Sequence, residues 1–192
     1  IHMSDQQQNN DNSTPNQLTL DLCRAITDRL DELVRKLLDS AQDKLFDMSN
    51  EADNNEDSAR YFELMNQIRQ LKADIRVDFS THFARYLLPA AQFDALHADE
   101  HGEDGELSLI GQDEMEGMVL IKSIGGRIAS RFNEQISHLE ARLEKLAEET
   151  DKIFRKDATS PSNICQAFND ALPAAIELDD KKLLFGMFET QV

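Results

Sequence analysis

At 192 residues the chain is long enough to bury a real core, hiding roughly 70% of the surface that an extended chain exposes. Aromatic residues make up 6%, Trp is absent, and seven Gly with four Pro leave little turn punctuation, which argues against an all-β fold and suits long helices. With 37 Asp and Glu against 20 Lys and Arg, the net charge of −17 opposes nucleic-acid phosphates and anionic membrane surfaces, so neither is expected as a partner.

Ile1 to Met3 reads as a remnant of cloning, and Ser4 to Gln17 is polar, amide-rich and without apolar pattern. Residues 1–17 are therefore expected to be a tag remnant and a disordered tail, and residues 18–192 a helical domain. From Leu18, the residues Leu22, Ile26, Leu30, Leu33, Leu37, Ala41 and Leu45 recur at steps of three and four, the face of a long amphipathic helix ending near Met48. A second helix is expected from about Asp57, with Tyr61, Leu64, Ile68, Leu71, Ile75, Phe79 and Tyr86 on its stripe. It stops before Pro89, whose ring disfavours helical geometry in the residue ahead of it. His82 lies on that stripe and reads as a histidine packed at the core edge with one hydrogen bond.

The next segment is acidic. Between Asp94 and Glu116 stand nine carboxylates and no Lys or Arg, with His97 and His101 among them. Such a field favours protonated imidazole and attracts divalent cations. Yet DEHGEDGE does not meet the calcium-loop pattern, and two histidines four apart need a helix and a third ligand to hold zinc, which Gly102 and Gly105 oppose. Residues 94–106 are expected to form a flexible solvated connector with no metal, followed by a short extended piece at Leu107, Leu109 and Ile110.

A third helix, the longest, is expected from about Gln112, its seam formed by Ile121, Ile124, Ile128, Phe132, Ile136, Leu139, Leu143 and Leu146. Over ~30 residues it would reach ~50 Å, its second half extending as one strand of a coiled coil. Gly125 and Gly126 fall inside this pattern, where paired glycines permit close helix packing or a bend. Ser160 then offers an N-cap with Pro161 at the first helical position of a short helix to about Leu172, and Asp179 and Asp180 open a last one. Leu183, Leu184, Met187 and Phe188 are its apolar face.

Catalytic patterns are sparse. Glu-x-x-His, the di-iron signature, is missing; Asp78 with His82 and Glu134 with His138 have four-residue spacing instead and read as surface or core-edge electrostatics. No serine lies in Gly-x-Ser-x-Gly, and Cys23 and Cys165, each beside apolar partners at helical spacing, read as buried free thiols. No catalytic residue and no cofactor is expected. No apolar run approaches the ~20 residues of a membrane span and no signal peptide is visible, so the expected location is cytoplasmic.

Two stretches, GELSLIGQDEMEGMVLIKSIGGRIASRFNEQISHLEARLEKL (105–146) and SPSNICQAFNDALPAAIELDDKKLLFGMFETQV (160–192), together with YFELMNQIRQLKADIRVDF (61–79), carry a resemblance. In order and spacing the chain resembles the N-terminal part of the proteobacterial family catalogued as domain of unknown function 1631. The resemblance implies a piece of a longer protein of unestablished activity. Some relatives bear a thymidine phosphorylase label, but such an enzyme needs a Gly-rich phosphate loop and basic phosphate contacts, and Ser123 to Arg127 is the nearest approach to one here.

The sequence thus predicts an all-α fold, an elongated antiparallel bundle of about five helices, three long and two short. The expected role is a non-enzymatic protein-interaction, regulatory or scaffolding module of a longer bacterial cytoplasmic protein, self-associating as a homodimer through the Leu139, Leu143 and Leu146 seam. The alternative is a small-ligand or nucleotide sensor using a crevice between helices, with Arg127 and Arg131 as anion contacts one turn apart. Against that, the two arginines read as surface ion pairs with acids such as Glu134.

Overall fold

A computed structural model describes residues 17–88, 112–149 and 157–191. Among these residues the fold is all-α, with six helices and no strand. They are α1 (Gln17–Glu51), α2 (Asn55–Leu87), α3 (Gln112–Arg131), α4 (Asn133–Glu149), α5 (Pro161–Ala171) and α6 (Leu178–Gln191). Gln17, assigned to the expected tail, is the first residue of α1, while residues 1–16, the acidic connector with His97 and His101, and the extended piece at Leu107 to Ile110 lie outside the described residues.

In α1 and α2 the apolar stripes read from the sequence turn toward the core. Val34, Leu37, Leu38, Ala41 and Leu45 of α1 meet Leu64, Ile68, Ile75, Phe79 and Phe83 of α2 in one core. Fully burying each of these side chains other than that of Ala41 contributes about 1.5–3 kcal/mol. The two helices run antiparallel, and polar pairs fix their register. Ser49 and Ser58 each donate to the other's carbonyl, at 3.0 and 2.8 Å, where the chain turns. Further along, Asp39 pairs with Lys72, and Asp31 takes Arg76 on both its oxygens at 2.8 and 2.5 Å.

Local chemistry seals the helix ends. Asn54 caps α2 by accepting from the Asp57 amide at 2.8 Å, and Glu56 and Asp57 complement the positive end of the helix dipole. At the other end Leu88 leaves the helix with φ −106° and ψ 146°, the extended geometry that the following Pro demands. Ser160 caps α5 through the Asn163 amide, with Pro161 in the first turn as expected.

The long third helix is interrupted. Phe132 stands between α3 and α4 in a turn, although its amide still donates to the Ile128 carbonyl at 3.0 Å and its own carbonyl accepts from Ile136 at 2.9 Å. The interruption holds neither Pro nor Gly. Phe132 packs against the core there, and beyond it residues 133–142 are exposed apart from half-buried Ile136 and Glu140. The expected five helices are six for this reason.

α5 packs between α2 and α3, and α6 touches α1 and α3. Phe168 of α5 meets Phe185 edge-on at 5.4 Å and stacks on Phe188 at 5.5 Å, so an aromatic cluster joins the last two helices. The glycine pair in α3 divides its roles. Gly125 is buried, and a Cβ there would stand 2.7 Å from the Ser162 Oγ and 3.0 Å from its Cα, a close helix approach that only hydrogen allows. Gly126 faces open space.

Candidate interaction surface

Arg127 and Arg131, the residues of the anion-contact reading, lie on the outer side of α3 and are exposed. Arg127 is committed within the fold: its Nε and Nη2 donate to the two carboxylate oxygens of Glu189, each at 2.7 Å, and its Nη1 donates to the Ser123 Oγ at 2.7 Å. The Glu189 carboxyl is held below its ordinary range by this bidentate pairing. The Arg131 guanidinium stands 5.1 Å from the Phe132 ring centroid and adds its field at Glu189. The expected partner, Glu134, instead faces His138 at 3.9 Å on a strongly exposed side of α4. A free anion at Arg127 must displace a carboxylate already placed by α6.

The Leu139, Leu143 and Leu146 seam is not one open stripe. Leu139 is 41% exposed, Leu146 is half-buried, and Leu143 is only 4% exposed and belongs to the core. Of the three residues expected to mediate self-association, the central one is therefore covered within the chain.

Among the described residues, large apolar side chains are exposed elsewhere too, Val77 singly and the rest in two sets that the stripe reading passed over. Met115, Met118 and Val119 of α3 are 59%, 42% and 63% exposed. At spacings of three and four they form one patch on the helix face opposite to buried Ile121, Ile124 and Ile128. Phe46 of α1 and Phe62 of α2 are half-exposed, and both fall off the apolar stripes of their helices. Their signal in the sequence is that mismatch of phase: an aromatic ring beside, rather than on, a stripe.

Of the other sequence-predicted residues, Cys23, Cys165 and His82 lie in or beside the core. Cys23 and Cys165 are buried free thiols, each pushed up to about 11 by burial, which keeps them in the unreactive protonated form. His82 is half-buried on α2. Among the described residues no three His, Cys, Asp or Glu side chains are grouped to hold a metal ion, and no helix is long and apolar enough to cross a membrane.

The family model described as "Protein of unknown function (DUF1631) N-terminal domain" matches residues 14–192. The chain belongs to the DUF1631 family. No curated protein and no solved structure matches it. For this DUF1631 domain the match takes in every helix described above, including the Gly125 contact and both exposed apolar sets.

Proposed function

We propose that this DUF1631 N-terminal domain is a non-enzymatic protein-interaction module with a regulatory or scaffolding role in a longer bacterial cytoplasmic protein. The observation that carries the reading is the outer face of α3. Exposed apolar residues scattered singly are ordinary, but Met115, Met118 and Val119 are contiguous on one helix and turned away from its own core. That spacing is the footprint by which one helix lies in the groove of a partner, and Met suits such contacts because its unbranched thioether adapts to the surface it meets. The acidity of the chain supports a protein partner over nucleic acid or an anionic membrane. A sensor role gains less support, since the donors of Arg127 are taken by Glu189 and Ser123.

The test compares wild type with Met118→Glu/Val119→Glu, whose side chains are exposed and whose replacement leaves the core intact. Sedimentation velocity reads self-association, and cross-linking in bacterial lysate reads partner capture. The reading expects a complex of either kind that the double variant loses while its helical circular dichroism is unchanged. Identical sedimentation and identical cross-links for the two proteins reject it.

A further inference from the structure

The second exposed apolar set stands at the turn of the α1–α2 hairpin, and its surroundings specify what it can bind. The register fixed by Ser49 with Ser58 and by Asp39 with Lys72 brings Phe46 level with Phe62. Phe46 follows Asp39 by seven residues and Phe62 precedes Arg76 by fourteen, whole pairs of helical turns. Both rings therefore share the side of the hairpin on which the cross-hairpin ion pairs form. The other side of α2 is in use: Arg60, two residues from Phe62 and so across the helix from it, reaches Asp180 of α6 at 2.6 Å. The rings are 50% and 49% exposed on the side that α6 leaves open.

Charge decides between occupants. From Asp43 to Glu63 the tip carries seven carboxylates, Asp43, Asp47, Glu51, Asp53, Glu56, Asp57 and Glu63, against Lys44 and Arg60. Arg60 is spent on Asp180. A second copy docked symmetrically through this patch would set seven carboxylates against seven, because a two-fold contact pairs a surface with itself. A partner with Lys and Arg around an apolar strip meets both features together: its apolar side chains cover the rings, and its cations face the carboxylates and the ring faces.

We propose that the Phe46 and Phe62 tip of the α1–α2 hairpin is a docking surface for a basic amphipathic helix of a partner protein. The inference rests on the interaction-module reading but uses a different surface, so the two fail separately. The probe is a fluorescein-labelled synthetic peptide of Leu and Lys, about four helical turns long with Leu at i, i+3, i+4 and i+7. Its controls are the same peptide with Glu for Lys and a scrambled Leu/Lys peptide without an apolar face. Fluorescence anisotropy against the whole chain is expected to show binding of the amphipathic basic peptide alone, weakened at least about tenfold between roughly 50 and 500 mM NaCl as the tip charges are screened. Phe46→Ser/Phe62→Ser is expected to weaken binding about tenfold or more, in the range of a lost interface anchor. Asp43→Asn/Asp47→Asn flattens the salt dependence, and Met118→Glu/Val119→Glu changes neither. Amide chemical-shift mapping on the wild type, which needs no variant to fold, is expected to centre on residues 43–63. Equal binding by the Phe variant, equal binding of the scrambled peptide, shifts centred elsewhere, or a homodimer that the Phe variant dissociates each overturns the proposal.

Discussion

The two ends of α6 are held by the same chemistry in different surroundings. At its first turn Asp180 receives both Nε and Nη2 of Arg60 from α2, at 2.9 and 2.6 Å, with only 12% of the Asp180 side chain exposed. At its last turn Glu189 receives Arg127 from α3, with side chains 30% and 52% exposed. The helix dipole separates them further. A carboxylate in the first turn is favoured by the exposed amides there, whereas one in the last turn faces carbonyls and is disfavoured until a cation answers it. The first contact is therefore an anchor and the second a neutralisation, although a list of ion pairs would rank them alike.

The largest expected effect is at the anchor. Asp180→Ala leaves Arg60 without its carboxylate beside the core. Removing one partner of a fully buried pair costs about 3–5 kcal/mol, and the partial exposure of Arg60 lowers this to about 2 kcal/mol. Thermal denaturation should show a fall in Tm of about 4–8 °C. A fall no larger than that of Glu189→Gln would erase the distinction between the two ends.

The seat of α3, from which Arg127 reaches out, gives the next effect. Gly125→Ala drives a Cβ into the Ser162 backbone and, after the helix-propensity gain of Ala is offset, should cost about 1–2 kcal/mol, read as a lower urea midpoint. Gly126→Ala, one residue on and facing open space, should add up to about 1 kcal/mol of stability, the ordinary helix-propensity gain, read as a higher midpoint. Like signs for the two substitutions would mean that α3 does not approach α5 by its backbone. The smallest effect belongs to Glu189→Gln. Because the folded carboxyl titrates below the usual 4.5, its contribution is present above that value and is lost as pH falls through the lower folded one. The difference from wild type, small at neutral pH, should close on acidification and again in about 1 M NaCl.

How far the sequence reveals these features follows from the range of each interaction. Helix positions are legible because periodicity, the Asn54 and Ser160 caps and the Pro89 stop act within a few residues. The glycine pair signals close packing or a bend, and only packing partners settle that Gly125 does the first while Gly126 does neither. Arg127 looks outward in the sequence because Glu189 lies 62 residues away, beyond any local pattern. Leu143 misleads for the opposite reason: its spacing is that of a free seam, and tertiary burial overrides it. The exposed rings at the hairpin tip are missed because a search for stripes discards what falls beside them.

The paired serines at the hairpin turn bear on the order of assembly. Ser49 and Ser58 are nine residues apart, whereas Arg60 and Asp180 are separated by 120. Closing the short loop sacrifices little chain entropy and closing the long one more, so the α1–α2 hairpin should gather early and α6 dock late. In the native protein the same asymmetry runs backwards. Detachment of α6 should be a partial opening of lower free energy than global unfolding, with its amides exchanging with solvent deuterium ahead of those in the centre of α2.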